Sequence, residues 1–186
     1  MEVESLRPEE VWLQPLGALP RPLAEAIAAR LSLRIEAGCR VLDPAGSEAA
    51  RRLTGRDQLD ADALLVALEA RPLPRGAVLV GLTPLDVAVP VFTFVFGRAR
   101  LGARAVLVSL ARLDPGFYGL KADAGLLARR AADEILHELG HAAGLGHCRD
   151  ASCLMSFAGS VEKVDVRGGF YCAACRQALP PWLIGG

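Results

Sequence analysis

The clearest periodic pattern in the chain runs from about Ala122 to Ala143. Ala128, Ala132, Ile135, Leu139 and Ala142 recur at alternating spacings of four and three, which gathers them on one stripe of an α-helix. Leu136 and Ala143 widen that stripe, so the pattern predicts a helix buried on most sides, with His137 and His141 across from the stripe. Upstream, Val11–Leu16 reads as a strand, and Pro20 and Pro22 lead into an alanine-rich helix around Leu23–Leu31. Leu33–Ala37 is expected to form a second strand, Asp43–Gly46 a turn, and Gln58–Ala70 a second helix. Ala77–Leu82, Val91–Phe96 and Arg104–Leu110 read as further strands, with a turn at Arg98–Gly102. Strands alternating with helices predict a twisted mixed sheet packed on helices, an α+β arrangement.

The window Ala77–Phe96 is apolar enough to consider as a membrane span, but Pro84, Asp86 and Pro90 divide it, so buried strands joined by a turn are expected. A length of 186 residues fits one domain, and 52% hydrophobic residues suffice for a substantial core. Lysine plus arginine number 21, as do aspartate plus glutamate, so no bulk charge draws the chain to nucleic acid or to an anionic membrane. The acidic, polar start Met1–Glu10 lacks the features of a secretory signal. A cytoplasmic protein is expected, in which clustered cysteines more often bind metal than pair.

The three histidines all lie within His137-Glu138-Leu139-Gly140-His141-Ala142-Ala143-Gly144-Leu145-Gly146-His147. Residues four apart on a helix stand one turn above each other, so His137 and His141 can converge on one ion. His147 reaches the same ion only if the chain turns sharply, and Gly144 tolerates the positive φ of such a helix end. Three imidazoles on tetrahedral zinc leave a fourth position for water, as in a catalytic site. Glu138 projects about 100° round the helix from His137. From there it can accept the proton of the attacking water and deliver it to a leaving amine. The chemistry expected is peptide-bond hydrolysis. Satisfied core histidines or a non-catalytic metal site are the bland alternative, which the full spacing disfavours.

Cys148, Cys153, Cys172 and Cys175 form a C-x4-C followed by a C-x2-C. Two such pairs can close a tetrahedron around a structural zinc and order the glycine-containing tail, which is expected to be irregular with little core of its own. A redox pair at Cys172 and Cys175, or two disulfides, are the competing readings. Cys39 stands alone and reads as a small buried apolar residue.

Taken together, His137–His147, the run Cys148, Cys153, Leu154, Met155 and the Cys172–Cys175 pair resemble the archaemetzincins, a branch of the metzincin metallopeptidases. Weaker likenesses extend upstream at Asp86–Pro90, Phe94–Gly97 and Ala105–Ser109. The resemblance implies a metzincin-like fold with a long active-site helix, an upper subdomain to about residue 144 and a small zinc-stapled C-terminal subdomain beyond it, in one domain spanning 1–186. It implies two zinc ions per chain, an edge strand bordering the cleft, no inhibitory pro-segment, and Met155 beneath the catalytic zinc. The activity it implies is that of a zinc peptidase on peptide or protein substrates, aminopeptidase-like in character.

Smaller expectations attach to neighbouring residues. Phe157 packs either in the pocket wall or in the core. Glu134 is read as an ion-paired or solvated carboxylate, with orientation of an imidazole as the lesser option. Asp86 fixes a turn. Tyr171 matches no motif that would assign it to oxyanion binding. The competing function is a non-catalytic, zinc-stabilised module that binds a peptide or protein. Glu138 argues against it, because a purely structural site has no use for a carboxylate there.

Overall fold

The computed structural model describes residues 8–46 and 51–185. Most of the acidic start Met1–Glu10 therefore lies outside the described residues. In chain order the elements are β1 (Glu10–Pro15), α1 (Arg21–Ser32), β2 (Gly38–Val41), β3 (Leu59–Asp60), α2 (Ala61–Glu69) and β4 (Ala77–Thr83). They continue with β5 (Val87–Ala88), β6 (Gly97–Ala99), β7 (Ala105–Ser109), α3 (Ala124–Ala142), α4 (Val161–Val166) and α5 (Ala173–Ala178). Among the described residues, β2-β1-β4-β7-β6 form one twisted sheet in that spatial order. Its neighbours pair in parallel except at the edge, where β6 runs antiparallel to β7. β3 and β5 make a separate short parallel pair.

Successive strand side chains point to opposite faces, and both faces of this sheet are covered. Val78, Val80 and Leu82 of β4 pack with Ile27 and Leu31 of α1 and with Ala128, Ile135 and Leu139 of α3. Leu79 turns the other way, onto Leu64, Leu65 and Leu68 of α2. Each large side chain buried this way contributes about 1.5–3 kcal/mol. Gly81 lies under α2, where a Cβ would come 2.4 Å from Leu68 Cδ1. The α3 stripe read from the sequence is buried along its whole length, from Ala128 to Ala142. Asp123 caps the start of α3 by accepting from the Leu126 N–H, and Asp60 caps α2 through the Asp62 and Ala63 N–H groups.

Four expectations change. The second strand is Gly38–Val41, not Leu33–Ala37. The Arg34 and Ile35 N–H groups fold back onto Leu31 O, and pairing with β1 begins only at Gly38. Val91–Phe96 is not a strand. Only Val87–Ala88 pairs before Pro90, and Val91 and Phe92 are exposed. Arg98 and Ala99 belong to β6, so the turn that follows is shorter than read, closed by Ala103 N–H to Arg100 O at 3.1 Å. The tail is also less irregular than expected. It carries α4 and α5, and Leu154, Val164 and Leu183 join the main core.

Candidate metal centres

Helix α3 presents its last two turns to a cleft of about 700 Å³. The helix stops at Ala142, and Gly144 follows at φ 108°. Gly144 N–H bonds His141 O and Leu145 N–H bonds Gly140 O, which swings the chain back toward the helix. His147 thereby rejoins His137 and His141, and one ring nitrogen from each lies within 4.8 Å of the others. The turn has the form expected for Gly144.

The hydrogen bonds orient the donors. Nδ1 of His137 lies 2.8 Å from the Leu154 carbonyl, and Nδ1 of His141 lies 2.7 Å from the Leu145 carbonyl. A carbonyl only accepts, so the Leu145 contact places the hydrogen of His141 on Nδ1 and leaves its Nε2 a lone pair, and the Leu154 contact asks the same of His137. Those two Nε2 atoms are 3.0 Å apart. Tetrahedral donors at zinc–nitrogen distances stand about 3.3 Å apart, so this pair is spaced to share one ion. Burial pushes His137 down to about 4 and lowers His147 as well, so both stay neutral near physiological pH, as ligands must. His137 is buried, His141 half-buried and His147 exposed, so the triad opens to solvent on one side.

Glu138 lines the same cleft and lies against Gly97 of β6. Burial, reinforced by the nearby Glu134 carboxylate, pushes the Glu138 carboxyl well above the usual carboxylate range, with Arg167 and Arg98 opposing. Met155 is fully buried beneath α3. A Cβ on Gly140 would lie 2.5 Å from its Sδ, so the glycine admits the thioether. Phe157 sits at the cleft wall, its ring 5.2 Å from that of His147 in an edge-to-face contact.

Four sulfur atoms gather below this site. The thiols of Cys148, Cys153, Cys172 and Cys175 lie within 4.8 Å of one another, and Cys148 Sγ is 3.8 Å from Cys172 Sγ. Zinc–thiolate bonds of tetrahedral geometry imply sulfur separations of about 3.8 Å. The Cys175 backbone N–H pulls the Cys172 thiol down to about 7, while burial pushes Cys175 up. The Cys148 N–H bonds Met155 O at 2.8 Å, which ties the sulfur cluster to the histidine site.

Other residues of the sequence reading are engaged outside the cleft, except Glu134, which lines it. Tyr171 is buried and spends its hydroxyl on Leu136 O at 2.7 Å. Asp86 braces a loop, with Arg112 Nε and Nη2 donating to its carboxylate at 2.9 and 2.8 Å and Gln58 donating at 2.9 Å. Cys39 is half-buried in β2 and packs against the core. Glu134 is ion-paired, to Arg167. Neither Arg167 nor Gly97 was assigned to the site from the sequence, because each meets it only through long-range packing.

An open set of three imidazoles with a carboxylate beside it, on a sheet-and-helix frame, is the donor chemistry of the metallopeptidase class. The match to known proteins narrows this. The model for peptidase family M54 matches residues 74–180, more than half of the chain, and the chain belongs to that family. An archaemetzincin of Pyrococcus horikoshii is 43% identical over 100 residues, covering 54% of this chain and 53% of the relative. The chain thus aligns with about half the length of the curated relatives it matches first. Solved structures extend the likeness. The archaemetzincin of Archaeoglobus fulgidus, crystallised with malonate, has a TM-score of 0.76 at 30% identity and covers 91% of this chain and 99% of its own. A zinc-dependent peptidase of Methanocorpusculum labreanum has a TM-score of 0.77 at 28% identity, with 91% and 100% covered.

Proposed function

We propose that this chain is a zinc-dependent peptidase, with His137, His141 and His147 as ligands of the catalytic ion and Glu138 as general base. The observation that carries this reading is the convergence of three imidazoles in an open cleft that Glu138 also lines. Zinc held there supplies a Lewis acid that polarises the scissile carbonyl and makes water acidic near neutral pH. Glu138 accepts the proton of the attacking water and passes it to the leaving nitrogen. The outer side of β6 is unpaired among the described residues and borders the cleft, so an extended substrate can pair along it. Phe92, Phe94, Leu101, Leu145 and Phe157 offer apolar wall for its side chains.

The four cysteines hold a second, structural zinc, and Met155 supports the catalytic site from below. The chain then acts as one domain, its upper part ending near residue 144 and its zinc-stapled tail packed under α3. No helix among the described residues is long and apolar enough to cross a membrane. A cytoplasmic setting suits four thiols kept for metal. The family resemblance adds aminopeptidase-like trimming, which is tested by comparing cleavage of peptides with free and with N-acetylated amino termini.

The test is a peptide library incubated with the zinc-loaded protein and read by mass spectrometry. Cleavage should fall by at least about 100-fold in Glu138→Gln, while elemental analysis shows unchanged zinc. Equal cleavage by both proteins removes the assignment of Glu138. No cleavage by either, at full zinc, removes the peptidase.

A further inference from the structure

The cleft holds an ion pair that the chemistry above does not use. Glu134 stands one turn before Glu138 on α3, and Arg167 follows the last residue of α4. Their side chains are 5% and 1% exposed, and Arg167 Nη2 donates to Glu134 Oε2 at 2.5 Å. A buried pair of this kind adds little net stability, because desolvation cancels much of the attraction. This one is less favourable still, since Nε of Arg167 has no partner among the described residues. Its stabilising value alone does not account for it.

Its position does. Arg167 Nη1 lies 2.9 Å from Nδ1 of His137, and 3.4 Å from the carbonyls of Leu154 and Ser156 on either side of Met155. The same Nδ1 lies 2.8 Å from the Leu154 carbonyl. A guanidinium only donates and a carbonyl only accepts, so these two contacts demand opposite forms of the imidazole. When Nδ1–H donates to Leu154, the Nε2 lone pair faces His141 and His147, as a ligand requires. When Nδ1 accepts from Arg167, the hydrogen moves to Nε2 and the donor is lost. The outcome depends on where the guanidinium spends its charge.

We infer that Glu134 is a positioning residue for the histidine site. By engaging Arg167, it keeps Nδ1 of His137 donating to Leu154 and leaves Nε2 free for the metal. The paired carboxylate also cancels a positive charge that would otherwise stand against an incoming cation. This inference rests on the reading of His137 as a metal ligand.

Cobalt(II) titration of the metal-free 186-residue chain tests it, because histidine and thiolate ligation would give separate visible and charge-transfer bands. Glu134→Gln, nearly isosteric, should weaken binding at the histidine site by about 10–100-fold and leave the thiolate bands unchanged. Glu134→Gln with Arg167→Met should return that affinity to within a few-fold of the parent, since the competing donor is gone. Unchanged affinity in Glu134→Gln overturns the inference, as does a loss that persists in the double variant. Parallel loss at both sites would mark the pair as plain fold support and overturn it too. A histidine-site band that survives His137→Ala is a distinct result, and overturns the ligand reading beneath the proposal.

Discussion

A methyl group at position 97 would sit 2.5 Å from Cγ and 2.6 Å from Oε1 of Glu138. Gly97→Ala should therefore push the carboxylate off its position while leaving the imidazoles alone. Turnover is expected to fall about 100-fold, the scale of an ångström's misplacement, with zinc content unchanged by elemental analysis. His137 gives a second prediction at this scale. Its pKa in the fold, about 4, lies below its ordinary value of 6.5. Between those values the unfolded chain binds a proton that the folded chain refuses, so stability rises with pH across that window. Metal-free protein should thus lose on the order of 3 kcal/mol from pH 6.5 down to 4 through this group. Denaturant titrations at several pH values measure it, and the pH slope should shrink in His137→Gln. The histidine and cysteine donors were legible from their spacing in the chain. Gly97 carried no such signal, since its importance lies in a side chain 41 positions away along the chain.

Among the elements, the end of α3 decides the geometry. Gly144 holds φ 108°, a region that other residues enter at a cost of about 1–3 kcal/mol. Gly144→Ala should lower thermal stability by that amount and weaken metal binding at the histidine site more than at the cysteines, read by stepwise chelation. The helix itself was visible in the sequence because its periodicity is strong and its caps are local. The segment Val91–Phe96 misled because its apolar residues line a cleft wall instead of pairing. That wall is braced from outside. Arg112 lies 4.3 Å from the Phe94 ring centroid and 4.8 Å from that of Phe117 while it holds Asp86. Gln58 donates to Thr93 O at 2.8 Å and Arg56 to Phe92 O at 2.7 Å. Such fixing of a segment outside any strand comes from scattered polar partners, which no period announces.

Across the whole molecule, the tail is joined to α3 by charge as well as by sulfur. Arg129 and Arg130 reach Asp165 at 2.6 and 2.5 Å, and Arg34 bridges Asp133 of α3 and the Gly169 carbonyl of the tail. Stripping metal from the cysteines, or Cys172→Ser, should loosen the tail without melting the sheet. Hydrogen exchange should quicken between Cys148 and Leu179 while the β4 and β7 amides stay protected; uniform quickening would show that the cysteine cluster supports the whole fold. The sequence by itself determined the histidine spacing, the two cysteine pairs, the helix that carries the first two histidines and the glycine that turns the chain back, because each depends on spacings of about ten residues or fewer. Only the tertiary structure decided which groups stand against those donors. It placed the edge strand beside Glu138, set Arg167 of the tail against His137, and turned the hydroxyl of Tyr171 away from the cleft. These contacts join residues about 30 or more positions apart, and long-range packing, not local periodicity, brings them together.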